Sequence, residues 1–113
     1  MLVICCGSRG WDDPQTIRSA LAELSSQDLI LTTDSLGADQ AIVDIAEEND
    51  IPVEVNKIAW STLGRRAGHI CLAQMLQRQP DQVWLFWDGK SKGTQSTMQL
   101  AAEYPAALRV WQP

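Results

Sequence analysis

The feature that most constrains the fold of this chain is a regular alternation between short apolar runs and stretches with helical periodicity. The apolar runs are predicted to be strands and cover residues 2–6, 28–32, 52–56, 82–87 and 107–111. Between each pair of runs, apolar residues recur every three or four positions, which is the spacing of an amphipathic helix. Because strands and helices alternate in βαβ units, the pattern predicts an α/β fold with a parallel sheet.

Four helices are predicted between these strands. The first has Asp13 as its N-cap and Pro14 in its first turn, both of which favour helix initiation. Its apolar face consists of Ile17, Ala20, Leu21 and Leu24. The second helix covers 38–46, the third about 67–79 and the fourth about 94–103.

The handedness of the connections limits the possible orders of the strands. With right-handed crossovers, a doubly wound sheet of five strands has two usual orders, 3-2-1-4-5 and 2-1-3-4-5. We expect the first order, in a three-layer Rossmann-like arrangement in which residues 57–66 form the only long irregular segment. The loops after strands one and four then flank one crevice at the carboxyl ends of the strands. A length of 113 residues fits a single domain, residues 1–113.

The composition narrows the classes of function. A formal net charge of -5 lacks the basic field on which nucleic-acid binders rely, which argues against a DNA or RNA partner. No apolar run approaches the roughly 20 residues of a membrane span, and the first run lacks the basic start of a signal peptide. The cysteines, Cys5, Cys6 and Cys71, fit neither a disulfide framework nor a zinc motif, and His69 is the only histidine. We therefore expect a cytoplasmic protein with reduced thiols, a surface role for His69, no metal, no cofactor and no membrane partner.

Two loops at the predicted crevice carry residues suited to a phosphate ligand. The loop after strand one contains Gly7, Ser8, Arg9 and Trp11, in which glycine permits close approach and arginine offers a bidentate fork. The loop after strand four opens a helix, whose first amides and dipole favour an anion. Its candidate ligand residues are Asp88, Gly89, Ser91, Lys92, Gly93 and Thr94.

Each of these loops alone is also compatible with an ordinary tight turn. Neither has the spacing of a Walker loop or of the G-x-G-x-x-G dinucleotide fingerprint. The phosphate site is therefore predicted from the joint position of the two loops at the crevice.

Two carboxylates and two tryptophans are candidates for contacts with the rest of a ligand. Asp34 and Asp39 lie where the second helix opens, so they either cap that helix or face a ribose. Trp11 and Trp60 lie at loop margins, where an indole either stacks on a base or packs beneath the loop. Packing in the core is expected for the two tryptophans on strands, Trp84 and Trp111.

Four blocks of the sequence form a combined pattern. They are Gly7-Ser8-Arg9 with Trp11, the helix start Gly37-Ala38-Asp39, Trp60 with Gly64 and Ala67-Gly68, and the stretch from Phe86 to Thr94 with Met98. Together they resemble the YspA-type, YpsA-related branch of the SLOG superfamily, and the resemblance covers nearly the entire chain. This superfamily includes the Lonely-guy phosphoribohydrolases and the DNA-processing protein DprA. The resemblance implies a Rossmann-like fold and a nucleotide-derived ligand.

The chain departs from the pattern of these relatives at three places. Relatives usually have a Gly-Gly-Ala-like stretch where this chain has Thr33-Asp34-Ser35, and an Arg-Asn pair where it has Cys71-Leu72. Lonely-guy enzymes carry a catalytic glutamate three residues after their glycine-threonine, which is the position of Thr97 here. Because threonine near neutral pH is neither a proton donor nor a base, the enzyme hypothesis loses its first candidate and the catalytic residues are unassigned.

We therefore predict a non-catalytic module that binds a nucleotide or a nucleotide-derived phosphate ligand. The phosphate would be held by Ser8, Arg9, Gly89, Ser91, Lys92, Gly93 and Thr94, and the ribose or base contacted by Asp34, Asp39 or Trp11. One alternative is a hydrolase acting on a nucleotide or ADP-ribose-like substrate through Asp88, Asp34 or Asp39. Another is a degenerate scaffold or oligomer-forming protein, and the sequence leaves a homo-oligomer open.

Overall fold

The fold is built on a parallel sheet of five strands, seen in a computed structural model that describes residues Met1 to Pro113. The strands are β1 (Leu2–Gly7), β2 (Leu29–Thr33), β3 (Val53–Asn56), β4 (Gln82–Phe86) and β5 (Ala107–Trp111). Their order is β3-β2-β1-β4-β5 and every neighbouring pair is parallel. The predicted α/β fold and the order 3-2-1-4-5 are confirmed, with strand ends that differ from the prediction by at most one residue.

The helices that connect the strands are α1 (Pro14–Leu21), α2 (Ala38–Glu48), α3 (Trp60–Leu63), α4 (Ala67–Leu76) and α5 (Lys92–Ala101). The prediction of an irregular segment at 57–66 was wrong, because α3 and a 3-10 turn at Gly64–Arg66 lie within it. The predicted third helix ends at Leu76 rather than near residue 79, because Gln79 has a left-handed φ of 57° and Pro80 cannot continue a helix. The α5 helix begins at Lys92 because the hydroxyl of Ser91 caps it by accepting a hydrogen bond from the Thr94 amide, at 3.2 Å.

Each face of the sheet is covered by helices, so the central strands are apolar on both faces. Val3 and Cys5 of β1 pack with α1 and α2, whereas Ile4 and Cys6 pack with α4 and α5. All three cysteines are buried with free thiols, and burial raises the pKa of the Cys5 thiol.

The packing expected for the two strand tryptophans is present. Trp84 is fully buried, and the Trp111 ring stacks on Phe86 with centroids 5.0 Å apart. None of the helices has the length and apolarity that a membrane crossing requires.

The position of the cleft follows from this topology. The loop after β1 leads to α1 on one face of the sheet, and the loop after β4 leads to α5 on the other face. Because β1 and β4 are neighbours in the sheet, these two loops diverge from adjacent strand ends and leave a crevice between them.

Candidate functional site

An open cleft of about 1060 Å³ lies at the carboxyl ends of the strands. Its walls come from the loops after β1 and β2, from the segment that holds α3 and the 3-10 turn, from one side of α4 and from the first turns of α5. Four separate connections therefore converge on one space.

The loops after β1 and β4 are joined by a buried hydroxyl pair. The side-chain oxygens of Ser8 and Thr94 share a hydrogen bond of 3.0 Å, and the Asp88 amide donates to the Ser8 hydroxyl at 3.1 Å. Ser8 is only 1% exposed. The two loops thus meet at the predicted place, and the Ser8 hydroxyl holds them together instead of facing the cleft.

The loop after β4 is shaped by its own carboxylate. Asp88 accepts hydrogen bonds from the backbone amides of Lys90 and Ser91, both at 2.8 Å, and these bonds lower its pKa. Gly89 has a positive φ of 83°, which glycine adopts without strain. Asp88, Gly89 and Lys92 do not line the cleft, whereas Ser91, Gly93 and Thr94 do.

The start of α5 presents backbone donors to the cleft. The amides of Lys92 and Gly93 precede the hydrogen-bonded ladder of the helix and find no partner elsewhere in the chain. At Gly93 an added Cβ would meet nothing closer than the Ser91 hydroxyl, at 3.8 Å. The helix end is therefore open, and the missing side chain at Gly93 keeps it open.

Arg9 and Trp60 form a stacked pair at the wall of the cleft. The Arg9 guanidinium lies 5.1 Å from the centre of the Trp60 indole, a cation–π geometry, and it makes no ion pair. Trp60 is 43% exposed, and its ring edge lies 3.4 Å from where a Cβ on Gly68 would be. Both the guanidinium and the indole line the cleft.

The lysines and arginines without an ion-pair partner are not spread evenly over the two ends of the sheet. The side-chain ion pairs use Arg18, Arg78 and Arg109. The remaining lysines and arginines have no ion-pair partner and all follow the carboxyl ends of β1, β3 or β4: Arg9, Lys57, Arg65, Arg66, Lys90 and Lys92. A chain with a net charge of -5 therefore places its unpaired positive charge at the carboxyl end of the sheet, and two of these residues, Arg9 and Arg65, line the cleft.

A buried carboxyl group lies at the floor of the cleft. Asp39 is 2% exposed; one of its oxygens accepts a hydrogen bond from the Gly7 amide at 2.8 Å, and the other accepts from the Thr33 hydroxyl. Burial raises its pKa to about 7, although these hydrogen bonds oppose the rise. The N-cap of α2 is Gly37, so Asp39 joins β1 and β2 to α2 and does not cap its own helix.

Two predicted ligand contacts, Trp11 and Asp34, are not among the residues that line the cleft. Trp11 is 7% exposed, packs edge-on against Phe86 at 5.6 Å and donates from its indole to the Asp13 carbonyl. The structure thus corrects the stacking alternative for Trp11 in favour of packing. Asp34 accepts a hydrogen bond from the Ile58 amide at 3.0 Å, so it ties the loop after β2 to the segment after β3.

Gly7 borders the cleft, but packing within the protein is what requires it. An added Cβ would clash with the Phe86 carbonyl oxygen and lie 2.6 Å from the Ala38 side chain. Its small size therefore lets β1, β4 and α2 approach one another, in addition to any approach by a ligand.

Several cleft residues were not among the predicted contacts. Ser96 and Thr97 follow Gly93 by three and four positions on α5, and this helical spacing was a usable signal. Arg65 lines the opposite wall from the segment that was predicted to be irregular, and His69 lines it from α4, which was predicted as a helix. Thr33 and Ser35 also line it.

Comparison of the chain with protein-family models gives no match, and a search of curated proteins gives none either. The side chains of histidine, cysteine, aspartate and glutamate form no group of three or more that could hold a metal ion.

Proposed function

We propose that this protein is a SLOG-type binding module that holds a nucleotide-like phosphate ligand in the cleft. The observation that carries the proposal is that the unpaired Arg9 guanidinium and the open amide of Gly93 line one cleft, with the open amide of Lys92 next to Gly93 in the chain. The Ser8–Thr94 hydrogen bond holds the loops that carry these donors against each other.

These groups suit a phosphate for two physical reasons. Amides at the first turn of a helix point toward a bound anion, and the helix dipole adds a partial positive charge there. An arginine adds two parallel charge-assisted hydrogen bonds. The surrounding unpaired cations attract an anion despite the acidic balance of the whole chain.

The rest of the cleft supports a ligand larger than phosphate alone. Its volume of about 1060 Å³ is at the upper end of small-molecule sites. Trp60 offers a half-exposed aromatic face for a base, and Asp39 offers carboxylate oxygens for sugar hydroxyls. The proposed ligand is therefore a nucleoside phosphate or a compound derived from one.

A hydrolase is the second candidate, and one observation favours it. Of the three carboxylates considered as acid–base groups, only Asp39 lines the cleft, and its pKa of about 7 suits proton transfer near neutral pH. Thr97, which occupies the position of the Lonely-guy glutamate, donates its hydroxyl to the Gly93 carbonyl at 3.0 Å. Chromatographic detection of free base or sugar phosphate after incubation with nucleotides and ADP-ribose would favour this candidate over a binding module.

Thermal unfolding with a panel of ligands tests the proposed function. The panel contains nucleoside mono- and diphosphates, ADP-ribose, dinucleotides and the matching nucleosides. At about a hundred times the dissociation constant, binding to the native state adds about 2.7 kcal/mol. For a domain near this size that moves the midpoint by on the order of 10 °C.

We expect phosphate-bearing compounds to shift the midpoint and nucleosides to leave it unchanged, since the proposed site recognises the anion first. Equal shifts from nucleosides would place the main contact at Trp60 instead. No shift from any compound at millimolar concentration would overturn the proposal and favour the degenerate scaffold.

A further inference from the structure

The floor of the cleft contains a carboxyl group with unused hydrogen-bonding capacity. Asp39 accepts one hydrogen bond on each oxygen, from the Gly7 amide and the Thr33 hydroxyl. With a pKa of about 7, Asp39 is ionised above neutral pH. An ionised carboxylate offers about four acceptor positions, so each oxygen then has room for a further donor. The Thr33 oxygen in turn accepts from the Ser35 amide at 3.2 Å, which fixes the hydroxyl that faces Asp39.

Hydrogen-bond donors and cations lie on some walls of the cleft, and the carboxylate lies at its floor. The donors and cations lie on the loop after β1, at the start of α5 and on the 3-10 turn, in Arg9, Gly93 and Arg65. The carboxylate lies between the ends of β1 and β2. A simple anion would use only the first set of groups, because Asp39 would repel it.

A ligand that uses both sets must carry an anionic group and hydroxyl donors in the same molecule. A phosphorylated ribose meets this requirement, since its hydroxyls supply donors a few bonds away from the phosphate. A sugar that lacks a hydroxyl would leave a buried carboxylate oxygen without the donor that the complete sugar provides. The complex would then lack one hydrogen bond to a charged group, which corresponds to about tenfold to a hundredfold in affinity.

We propose that Asp39 is a specificity-determining residue that reads the ribose hydroxyls, so that the cleft binds ribonucleotides in preference to 2′-deoxyribonucleotides. This inference rests on the proposed function of the cleft as a nucleotide phosphate site. It adds a property that phosphate recognition by Arg9 and α5 does not supply.

Calorimetric titration of the wild-type protein with matched nucleotide pairs, at about pH 8 where Asp39 is ionised, tests the inference. The probes are a mixture of the four ribonucleoside 5′-monophosphates, the mixture of their 2′-deoxy counterparts, and inorganic phosphate. We expect the ribo mixture to bind about tenfold to a hundredfold more tightly, which is the effect of one or two hydrogen bonds to a charged group. Equal affinities would overturn the inference and leave phosphate recognition standing. If no probe binds, the proposed function fails and the inference fails with it.

The Asp39→Asn variant assigns the preference to this residue. Asparagine keeps the shape and one acceptor oxygen, so the variant retains the hydrogen bond from Gly7 while losing carboxylate acceptor capacity. We expect its affinity for ribonucleotides to fall toward that of the deoxy mixture, while its affinity for the deoxy mixture changes less than about threefold. A parallel loss for both mixtures would show a merely structural role. The wild-type comparison does not depend on the folding of this variant, so equal wild-type affinities overturn the inference in any case.

Discussion

The two ends of the sheet differ in how their charged groups are paired. At the amino end, the carboxylates join strands and turns: Asp81 accepts from the Leu2 amide at 2.8 Å, and Asp28 pairs with the amino terminus at 2.6 Å. Arg78 pairs there with Glu54. At the carboxyl end, Arg9 and the lysines and arginines around it have no ion-pair partner. Carboxylates therefore join neighbouring segments at both ends, whereas the cations without an ion-pair partner gather at the carboxyl end.

Loop length does not explain this difference. The connections at the amino end cover 22–28, 49–52, 77–81 and 102–106, and three of those at the carboxyl end, 8–13, 34–37 and 87–91, are of similar length. What differs is the geometry of a right-handed parallel sheet, in which helices begin at the carboxyl end and present their first amides there. Helix starts of this kind favour anions whatever side chains surround them.

The largest expected effect concerns the buried carboxyl group at the carboxyl end. The pKa of Asp39 is about 7 in the folded protein against a usual 3.8, so the folded state holds this proton more tightly. Protonated Asp39 therefore contributes stability to the folded state. This contribution is complete below the pKa of the unfolded state and is lost as the pH rises toward 7. Relative to wild type, Asp39→Asn should gain on the order of 4 kcal/mol of unfolding free energy between about pH 4 and about pH 7.5, at 1.36 kcal/mol per pH unit. Urea unfolding across this range measures the difference.

The matched control lies at the amino end. The hydrogen bond from the amino terminus lowers the pKa of Asp28. Ionised Asp28 therefore contributes to the stability of the folded state above its usual pKa, and this contribution is lost as the pH falls. Asp28→Asn should therefore be less stable than wild type near neutral pH and approach it in acid, which is the opposite trend. Parallel stability curves for wild type and Asp39→Asn would contradict the raised pKa of Asp39.

The next effect concerns ligand binding at the start of α5. Gly93→Val places a branched side chain over the open amides, where an added Cβ meets no atom closer than 3.8 Å and the fold is preserved. Losing two hydrogen bonds to a charged phosphate, at about 1.5 kcal/mol or more each, weakens nucleotide binding by about a hundredfold or more. Titration of the variant with the nucleotide panel measures this loss.

Gln95→Val is the control for this variant. It puts the same side chain at an exposed position of the same helix that does not line the cleft. It should bind as the wild type does. Unchanged binding by Gly93→Val would mean that the loop after β4 is an ordinary turn and that the phosphate site lies elsewhere.

The smallest effect is expected for a single arginine. Arg9→Ala removes one charge-assisted contact and should reduce nucleotide affinity by about 1.5 to 3 kcal/mol, with little change in melting temperature. Arg78→Ala, at the amino end, removes an exposed ion pair and should alter stability by about 1 kcal/mol at most while leaving binding unchanged. A large fall in the melting temperature of Arg9→Ala with normal binding would give Arg9 a structural role and remove the contrast between the two ends.

Local patterns determined the fold almost completely. The apolar runs located all five strands, and the handedness of crossovers left two usual strand orders, of which the expected one is observed. The same reasoning brought the loops after β1 and β4 together, because adjacent strand ends follow from strand order alone. The helical structure within 57–66 was not predicted, because its two short helical pieces are too brief to show a helical period.

Only the tertiary structure decided which of the candidate site residues face the cleft and which pack within the protein. The sequence placed Ser8, Arg9 and Trp11 in one loop, yet the fold directs Ser8 to Thr94, Arg9 to the cleft and Trp11 to the core. Residues that are adjacent in sequence lie close together, but their side chains point in different directions. Each side chain contacts the partner that its backbone conformation and its surroundings allow. The raised pKa of Asp39 has the same origin, because burial depends on what packs around a carboxyl group and cannot be obtained from its place in the sequence.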